Sequence, residues 1–376
     1  MPVLARRTFL TLLGAGAGAG AVALAACTPS GSPNPATNPR SGVAGSGTGG
    51  PGGDGAPRVT RTVAERLSTP WSIAFLPDGS AFVSERDSGR ILRLVAGDDP
   101  AEAARIAVRT DTSEGGLLGL EAAPDFASSG TLYAYYTAER SNRVVALHWD
   151  GGSLGGERIL VDGIPEAPIH NGGRIKAGRD GFLYIGTGDA TNRSSSQDRA
   201  SLGGKVLRVA SDGAPADGNP FGNRVFTYGH RNVQGLAWDS SGRLWASELG
   251  PDRDDELNLL QAGSQYGWPS VTGARSSNGS VPAVHVWPST ADASPSALAI
   301  VDDVAYVACL RGERLWRLPL PAAGSTGDGS GQLPGATEHF RSQYGRLRDV
   351  VQVPGQRELW IATNEGSNSR ILAVAI

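Results

Sequence analysis

From Val59 to the C-terminus the chain repeats one pattern. A polar turn of Gly, Asp or Ser is followed by a short run in which apolar side chains recur at alternate positions. The repeats are FLPDGSAFVSER (75–86), APDFASSGTLYAYYT (123–137), AGRDGFLYIGTGD (177–189), WDSSGRLWASELG (238–250), AIVDDVAYVACLRG (299–312) and VPGQRELWIATNEG (353–366). A second strand-like run follows several of them, as in RILRL (90–94), KVLRV (205–209) and RLWRL (314–318). Anchored on the aromatics Phe82, Tyr133, Tyr184, Trp245, Tyr306 and Trp360, the spacings are 51, 51, 61, 61 and 54 residues. Long runs with helical periodicity are missing. Short strands, regular turns and a period of about 50 residues predict an all-β, six-bladed β-propeller over residues 58–376. A two-sheet sandwich is disfavoured by repetition over so long a stretch. The six aromatics read as packing between blades. Cys309, inside a strand-like run, reads as an inert buried thiol. Radial blades enclose a central channel, so residues distant in sequence can share a site at one end.

The N-terminus follows different rules. Arg6 and Arg7, then Phe9 and Leu10, lead an apolar Gly/Ala-rich run that ends in Leu24-Ala25-Ala26-Cys27. This reads as a twin-arginine-like secretory signal over residues 1–27, closing in a lipobox whose Cys27 would carry the lipid. The run is short and Gly-rich for a membrane-spanning helix. Residues 28–57 are rich in Gly, Pro and Ser and hold little to bury, which predicts a disordered tether. The expected location is therefore the outer face of the cytoplasmic membrane, with membrane contact only through the lipid. A net charge of −3 gives no electrostatic case for nucleic acid. Two cysteines provide neither a disulfide framework nor a Cys-based metal site.

Candidate chemistry gathers where strands meet loops. Residues 229–269 are the densest stretch: His230, Arg231, Asn232 and Gln234 in one turn, then Gly250-Pro251, then Asp252, Asp254, Asp255 and Glu256. Glu114, His170, Trp287, Arg311, Arg346 and Arg348 occupy comparable boundaries in other repeats. Several arginines converging on one channel end would repel each other without an anion among them. A small ligand with several carboxylates suits that environment, and a planar one could stack on Trp287. Asp252, Asp254 and Asp255 read as solvated surface.

Seven motifs, in order, make the chain recognisable. GGLLGLEAAPDF, HNGGR, GKVLRV, GHRNVQG, SELGPDRDDELN, QYGWP and GRLRDV resemble the soluble quinoprotein glucose and sorbosone dehydrogenase family from about Thr69 onward. The resemblance implies a six-bladed propeller that binds pyrroloquinoline quinone (PQQ) with calcium and oxidises the anomeric hydroxyl of sugars to a lactone, electrons passing to an acceptor the sequence does not name. It implies that His170 is the general base for hydride transfer to quinone C5, and that Arg231 contacts the quinone oxygen. Asn232 and Gln234 would complete that edge. Arg346 and Arg348 would clamp cofactor carboxylates, their i, i+2 spacing placing both on one face of a strand. Trp287 and Ser289 would be an aromatic and hydroxyl pair at the cofactor. The carbonyls of Gly250 and Pro251 would bind its calcium, and Glu256 with the Tyr266 carbonyl a second calcium.

Three positions depart from the glucose enzymes: Glu114 stands for a Gln at the cofactor, Arg311 for a Lys, and Ile169 for an acidic residue that helps hold glucose. The stretch between Pro269 and Trp287 has no long insertion. Together these features resemble the compact aldose sugar dehydrogenase branch, with broader sugar recognition and a monomeric state. Two other functions compete. A calcium-dependent sugar lactonase would need metal-ligating carboxylates such as Glu114, Asp189 and Glu248. A non-catalytic glycan- or protein-binding propeller would have no use for His170.

Overall fold

The computed structural model describes residues 56–325 and 329–376. The signal, Cys27 and nearly all of the tether lie outside the described residues. Six four-stranded antiparallel sheets follow one another. Blade one comprises Pro70–Phe75, Ala81–Glu85, Arg90–Leu94 and Ala101–Arg105. Blade two comprises Leu117–Ala122, Thr131–Thr137, Asn142–Trp149 and Leu154–Ile164. Blade three runs through Ile175–Ala177, Leu183–Gly186, Lys205–Val209 and Val225–Tyr228. Blade four runs through Val233–Trp238, Leu244–Glu248, Asp255–Leu260 and His285–Trp287. Blade five holds Pro295–Val301, Val304–Cys309, Leu315–Pro319 and Thr337–His339. Blade six takes Leu347–Gln352, Glu358–Thr363 and Ser369–Ala375 from the C-terminus and Arg58–Leu67 from the other end of the sequence as its outermost strand. That pairing, Arg58 to Ala375 through Leu67 to Ser369, closes the ring and ties the two ends of the described chain together.

The predicted propeller is therefore present, and each repeat anchor lies in the second strand of its blade. All six are buried, Phe82 and Trp245 fully. Phe82 packs against Phe126 and Trp149, Tyr184 against Phe226 and Trp238, and Trp360 against Phe75. Cys309 is buried in the core, and burial pushes its thiol well above the usual range. The two 61-residue spacings have a concrete cause. Residues 187–204 form a long loop within blade three, and residues 261–284 form another within blade four.

The innermost strands start at one end of the channel and finish at the other, where Glu121, Lys176, Arg179 and Gln352 line a cavity of about 410 Å³. In five blades the strand pairing slips near the start of the inner strand: between Pro70 and Ser72, Leu117 and Leu120, Val233 and Gly235, Pro295 and Leu298, and Leu347 and Asp349. Such bulges re-aim side chains. The residues they free, Trp71, Gln234, Ser296 and Arg348, meet in the channel. Arg348 Nη1 donates to Gln234 Oε1 at 2.9 Å and lies near Ser296 Oγ, with its guanidinium 5.7 Å from the Trp71 ring centroid.

Arg174 enters from blade three and sits 4.4 Å over the same indole. It pairs with Asp349 at 3.1 Å and donates from Nε to the Gln234 carbonyl. Asp349 in turn accepts from the Ile73 amide at 2.6 Å. Blades one, three, four and six are thus joined across the channel by one buried ion pair and its hydrogen bonds. Removing one partner of such a pair strands the other charge away from water. Asp349→Ala should lower unfolding free energy by about 3–5 kcal/mol in chemical denaturation, and Asp349→Asn should lose less because it still accepts from Ile73.

Candidate active site

His170 stands on the turn before the inner strand of blade three, with a backbone φ of +64°. A non-glycine residue in that region is strained and is held there by its surroundings. Gly188 makes the turn possible, since a Cβ there would lie 1.8 Å from the His170 carbonyl oxygen. Ala190 and Thr191, on the facing loop 187–204, also adopt left-handed φ. The His170 imidazole is fixed at both nitrogens. Nη2 of Arg231 lies 2.7 Å from Nε2, and Oδ1 of Asp189 lies 2.8 Å from Nδ1. A guanidinium can only donate. Nε2 therefore accepts, and Nδ1 carries the hydrogen and donates to Asp189. The carboxylate selects the tautomer that leaves the Nε2 lone pair to accept from Arg231.

Asp189 is fully buried. Burial opposes its ionisation, but donors at His170, Trp268 Nε1 and the Thr191 amide hold its carboxyl below the usual range. Arg231 is oriented by its amide, which donates to Glu248, and by Nη1, which donates to the Leu249 carbonyl at 3.1 Å. Burial lowers the Arg231 pKa, against the pull of Asp189, Glu248, Glu114 and Asp255. A cavity of about 260 Å³ opens over these groups, lined also by Ile169, Thr191, Arg193, Pro251 and Asp252. It is smaller than the cavity at the far end of the channel, yet it alone of the two holds the imidazole, carboxylate and guanidinium in mutual contact.

The predicted site residues divide into those that meet and those that do not. Glu114 accepts from the His170 amide at 2.7 Å and lies close enough to Arg231 and Arg348 to influence both charges. Asn232 is buried; its Oδ1 accepts from the Gly172 amide at 2.9 Å. Gln234 and Arg348 meet in the channel as described. Arg346 and Arg348 do not share a strand face as the i, i+2 spacing implied. The strand begins at Leu347 and bulges at once, which buries Arg348 and leaves Arg346 exposed. Trp287 is 2% exposed on the outermost strand of blade four, packed against His285 and Trp316, rather than on the wall of the His170 pocket. Ser289 makes a local turn by accepting from the Ala291 amide, and exposed Arg311 donates to Thr290.

Asp255 is not solvated surface as the sequence suggested. It is fully buried, accepts from the amides of Gly250 and Ser294, and burial pushes its carboxyl up to about 6. It thereby braces the Gly250-Pro251 turn. Glu256 is also buried, with its oxygens taken by the Gly273 amide and Asn258; burial and neighbouring Glu248 push it up to about 8. Tyr266 is stacked on His230, and its hydroxyl donates to the Leu259 carbonyl. The three carboxylates proposed for a lactonase are separately engaged: Glu114 with the His170 amide, Asp189 with the imidazole, and Glu248 with His230. Among the described residues no group of three or more His, Cys, Asp or Glu is placed to hold a metal.

Sequence reasoning missed Trp268, Arg174 and the dyad role of Asp189. The irregular spacing of the repeats was the available signal, since Asp189 and Trp268 lie on the two loops that lengthen it.

A polyanion fits the channel end. Arg231 Nε, Asn232 Nδ2 and Arg348 Nε are buried donors without a partner. Arg348 is lowered to about 9 by burial and by the positive neighbours Arg86, Arg346 and Arg174. Buried donors without acceptors are costly, and an acceptor-rich anion would satisfy them. The carbonyls of Gly250 and Pro251 accept no backbone hydrogen bond within the described residues, so oxygen ligands for a hard cation are available beside Arg231.

Three comparisons bear on this geometry. A sequence model of the family described as glucose / sorbosone dehydrogenase matches residues 67–373. The solved PQQ-bound aldose sugar dehydrogenase of Streptomyces coelicolor superposes with a TM-score of 0.80 at 43% identity, covering 87% of this chain and 99% of that one. The aldose sugar dehydrogenase YliI of Escherichia coli is 32% identical over 55% of this chain, and quinoprotein glucose dehydrogenase B of Acinetobacter calcoaceticus 28% over 58%. The chain spans 61% and 54% of those two proteins' own lengths.

His285 allows a test of the packing assigned to Trp287. Burial lowers its pKa to about 4 from an ordinary 6.5, and Nδ1 accepts from the Leu333 amide. The native state therefore binds fewer protons than the unfolded chain between pH 4 and 6.5, and stability falls as pH drops through that window. His285→Gln should flatten this acid loss, which is on the order of 3 kcal/mol, in unfolding curves measured from pH 7 to 4.

Proposed function

This chain belongs to the glucose / sorbosone dehydrogenase family, and from that premise we propose that it oxidises the C1 hydroxyl of aldose sugars to the lactone, using PQQ and calcium. The observation that carries the reading is His170 held at Nδ1 by Asp189 and at Nε2 by Arg231, beside buried donors that have no partner. Arg348, Arg231, Asn232 and Gln234 would hold the cofactor, with Arg346, Arg311 and Glu114 at its margin. The carbonyls of Gly250 and Pro251 would hold calcium. When bound, PQQ supplies the two-electron acceptor and calcium a Lewis acid.

The protein's own part is proton handling and positioning. His170 Nε2 takes the proton of the sugar C1 hydroxyl, and Asp189 stabilises the imidazolium that forms. Arg231, released from Nε2 as the imidazole protonates, is the positive group beside the reacting atoms. Glu114 fits beside an anionic cofactor because the His170 amide and two nearby guanidiniums offset its charge. Ile169, 38% exposed, and Pro251 give the mouth an apolar flank. Thr191, Arg193 and Asp252 are the groups there that can meet hydroxyls beyond C1, and the apolar Ile169 beside His170 favours a broad range of aldoses over one sugar.

The signal-like residues 1–27, ending in the lipobox Cys27, support a location outside the cytoplasmic membrane, with the protein tethered there as a monomer. The described chain enters blade six at Arg58, level with Ala375, Glu358 and Gln352, at the channel end opposite His170.

Purified protein loaded with PQQ and Ca²⁺ should reduce an artificial electron acceptor with several aldoses. His170→Ala should lower kcat by about 10²–10⁴-fold while retaining PQQ. Arg348→Ala should weaken PQQ binding about 10–100-fold by absorbance titration. Neither a quinone absorbance change nor dye reduction in the wild type would overturn the assignment. Cys27→Ser should move the protein from the membrane to the soluble fraction on cell fractionation, and its retention on membranes would refute the lipid anchor.

A further inference from the structure

Trp268 makes six contacts that together span the site. Its indole Nε1–H donates to Asp189 Oδ2 at 2.8 Å, across 79 residues of sequence. Its ring has two guanidiniums nearby, Arg231 at 5.6 Å and Arg193 at 5.3 Å from the centroid. Its carbonyl accepts from Ser196 Oγ at 3.0 Å and Gln197 Nε2 at 2.6 Å, and its amide donates to Gly229 at 3.0 Å. The side chain is 5% exposed, so the indole has one position. Asp189 and Arg231, the groups that grip the two nitrogens of His170, therefore rest on one ring, which is anchored to both long loops and to the turn that carries Arg231.

We propose that Trp268 is the positioning residue of the His170 base, acting through Asp189 by its indole N–H and through Arg231 by its ring face. The proposal rests on the dehydrogenase reading for its catalytic meaning, but not for the contact itself. The charged and titratable groups facing Asp189 are His170 and Arg231, with Arg193 and Asp252 lining the same pocket. Asp189 has two oxygens and three donors. With the indole N–H gone, Oδ2 loses the one donor assigned to it inside a buried site, and the carboxylate is free to turn. A turned carboxylate no longer holds the Nδ1–H tautomer, and a fraction of the imidazole then presents the wrong nitrogen to the pocket. A carboxylate with fewer donors also protonates more readily, so the loss of activity on the acid side should begin at higher pH.

Trp268→Phe keeps an aromatic ring near the two arginines and deletes the N–H together with the five-membered part of the indole. In the protein without cofactor, the low-field Nδ1–H proton of His170, assigned by its disappearance in His170→Ala, should move in Trp268→Phe. With PQQ and Ca²⁺ bound, kcat should fall about tenfold with little change in the affinity for PQQ, and the acid limb of kcat/KM should shift upward. Asp189→Asn and the double variant Asp189→Asn/Trp268→Phe should be equally slow, because the N–H acts through that carboxylate. Trp268→Leu, which removes the ring as well, should be slower than Trp268→Phe.

A reciprocal measurement leaves Trp268 intact: its indole proton resonance should move in Asp189→Asn and in His170→Ala. An unmoved His170 proton, or additive losses in the double variant, would reduce Trp268 to packing and overturn the proposal. If the wild type proves inactive with PQQ while both resonances still respond, the coupling stands and the dehydrogenase assignment falls.

Discussion

Two guanidiniums share the channel of this propeller, and only one of them has a carboxylate in direct reach. Arg174 is paired with Asp349, whereas Arg348 forms no ion pair among the described residues and donates only to neutral oxygens. A lone buried cation in a low-dielectric setting is unfavourable unless dipoles or a counter-charge compensate. The fold answers part of this demand with the Trp71 face, which lies beside both arginines, and with Gln234 and Ser296. The remainder is left as unpartnered N–H groups at one end of the channel. A hub that carries an excess of positive charge is one that an anion would complete. The same residues thus join the blades and, in the function proposed above, would hold the cofactor.

The candidate catalytic groups come from the loops and strand ends of blades three and four. His170 precedes one inner strand and Arg231 another, while Asp189 and Trp268 come from the two long loops inside blades three and four. Each group restrains the next. Trp268 and the Thr191 amide orient Asp189, Asp189 orients the imidazole, and Arg231 caps the remaining nitrogen. Because these contacts are short and mostly buried, the site has little freedom to relax around a missing member. The strained backbone at His170, Ala190 and Thr191 is consistent with a geometry imposed by these long-range contacts rather than by local preference.

Much of this was legible in the residues alone. Turn-and-alternation repeats read correctly as six blades, because backbone pairing and alternate burial leave a periodic trace in any strand. His170, Arg231, Asn232 and Gln234 were identifiable because they fall beside glycines at strand boundaries, where side chains can converge. Other readings failed for definable reasons. The even spacing of Arg346 and Arg348 promised one face, and a bulge at Arg348 separated them. Trp287 looked like a stacking platform, but it lies on an outermost strand and faces a neighbouring blade. Asp255 looked like one of a run of surface acids, and two amides from separate turns draw it inside.

The sequence by itself determined the architecture, the number of blades, the family and the chemical types available at the channel mouth, since all of these are carried by local periodicity and short motifs. The tertiary structure decided which of those groups touch. The tautomer of His170, the bracing of Asp189 by Trp268, the burial of Arg348 and the pairing of Arg174 with Asp349 depend on bulges and on loops meeting across many tens of residues. Contacts of that range leave no period in the chain, because each is a single event set by how separate blades pack around one axis.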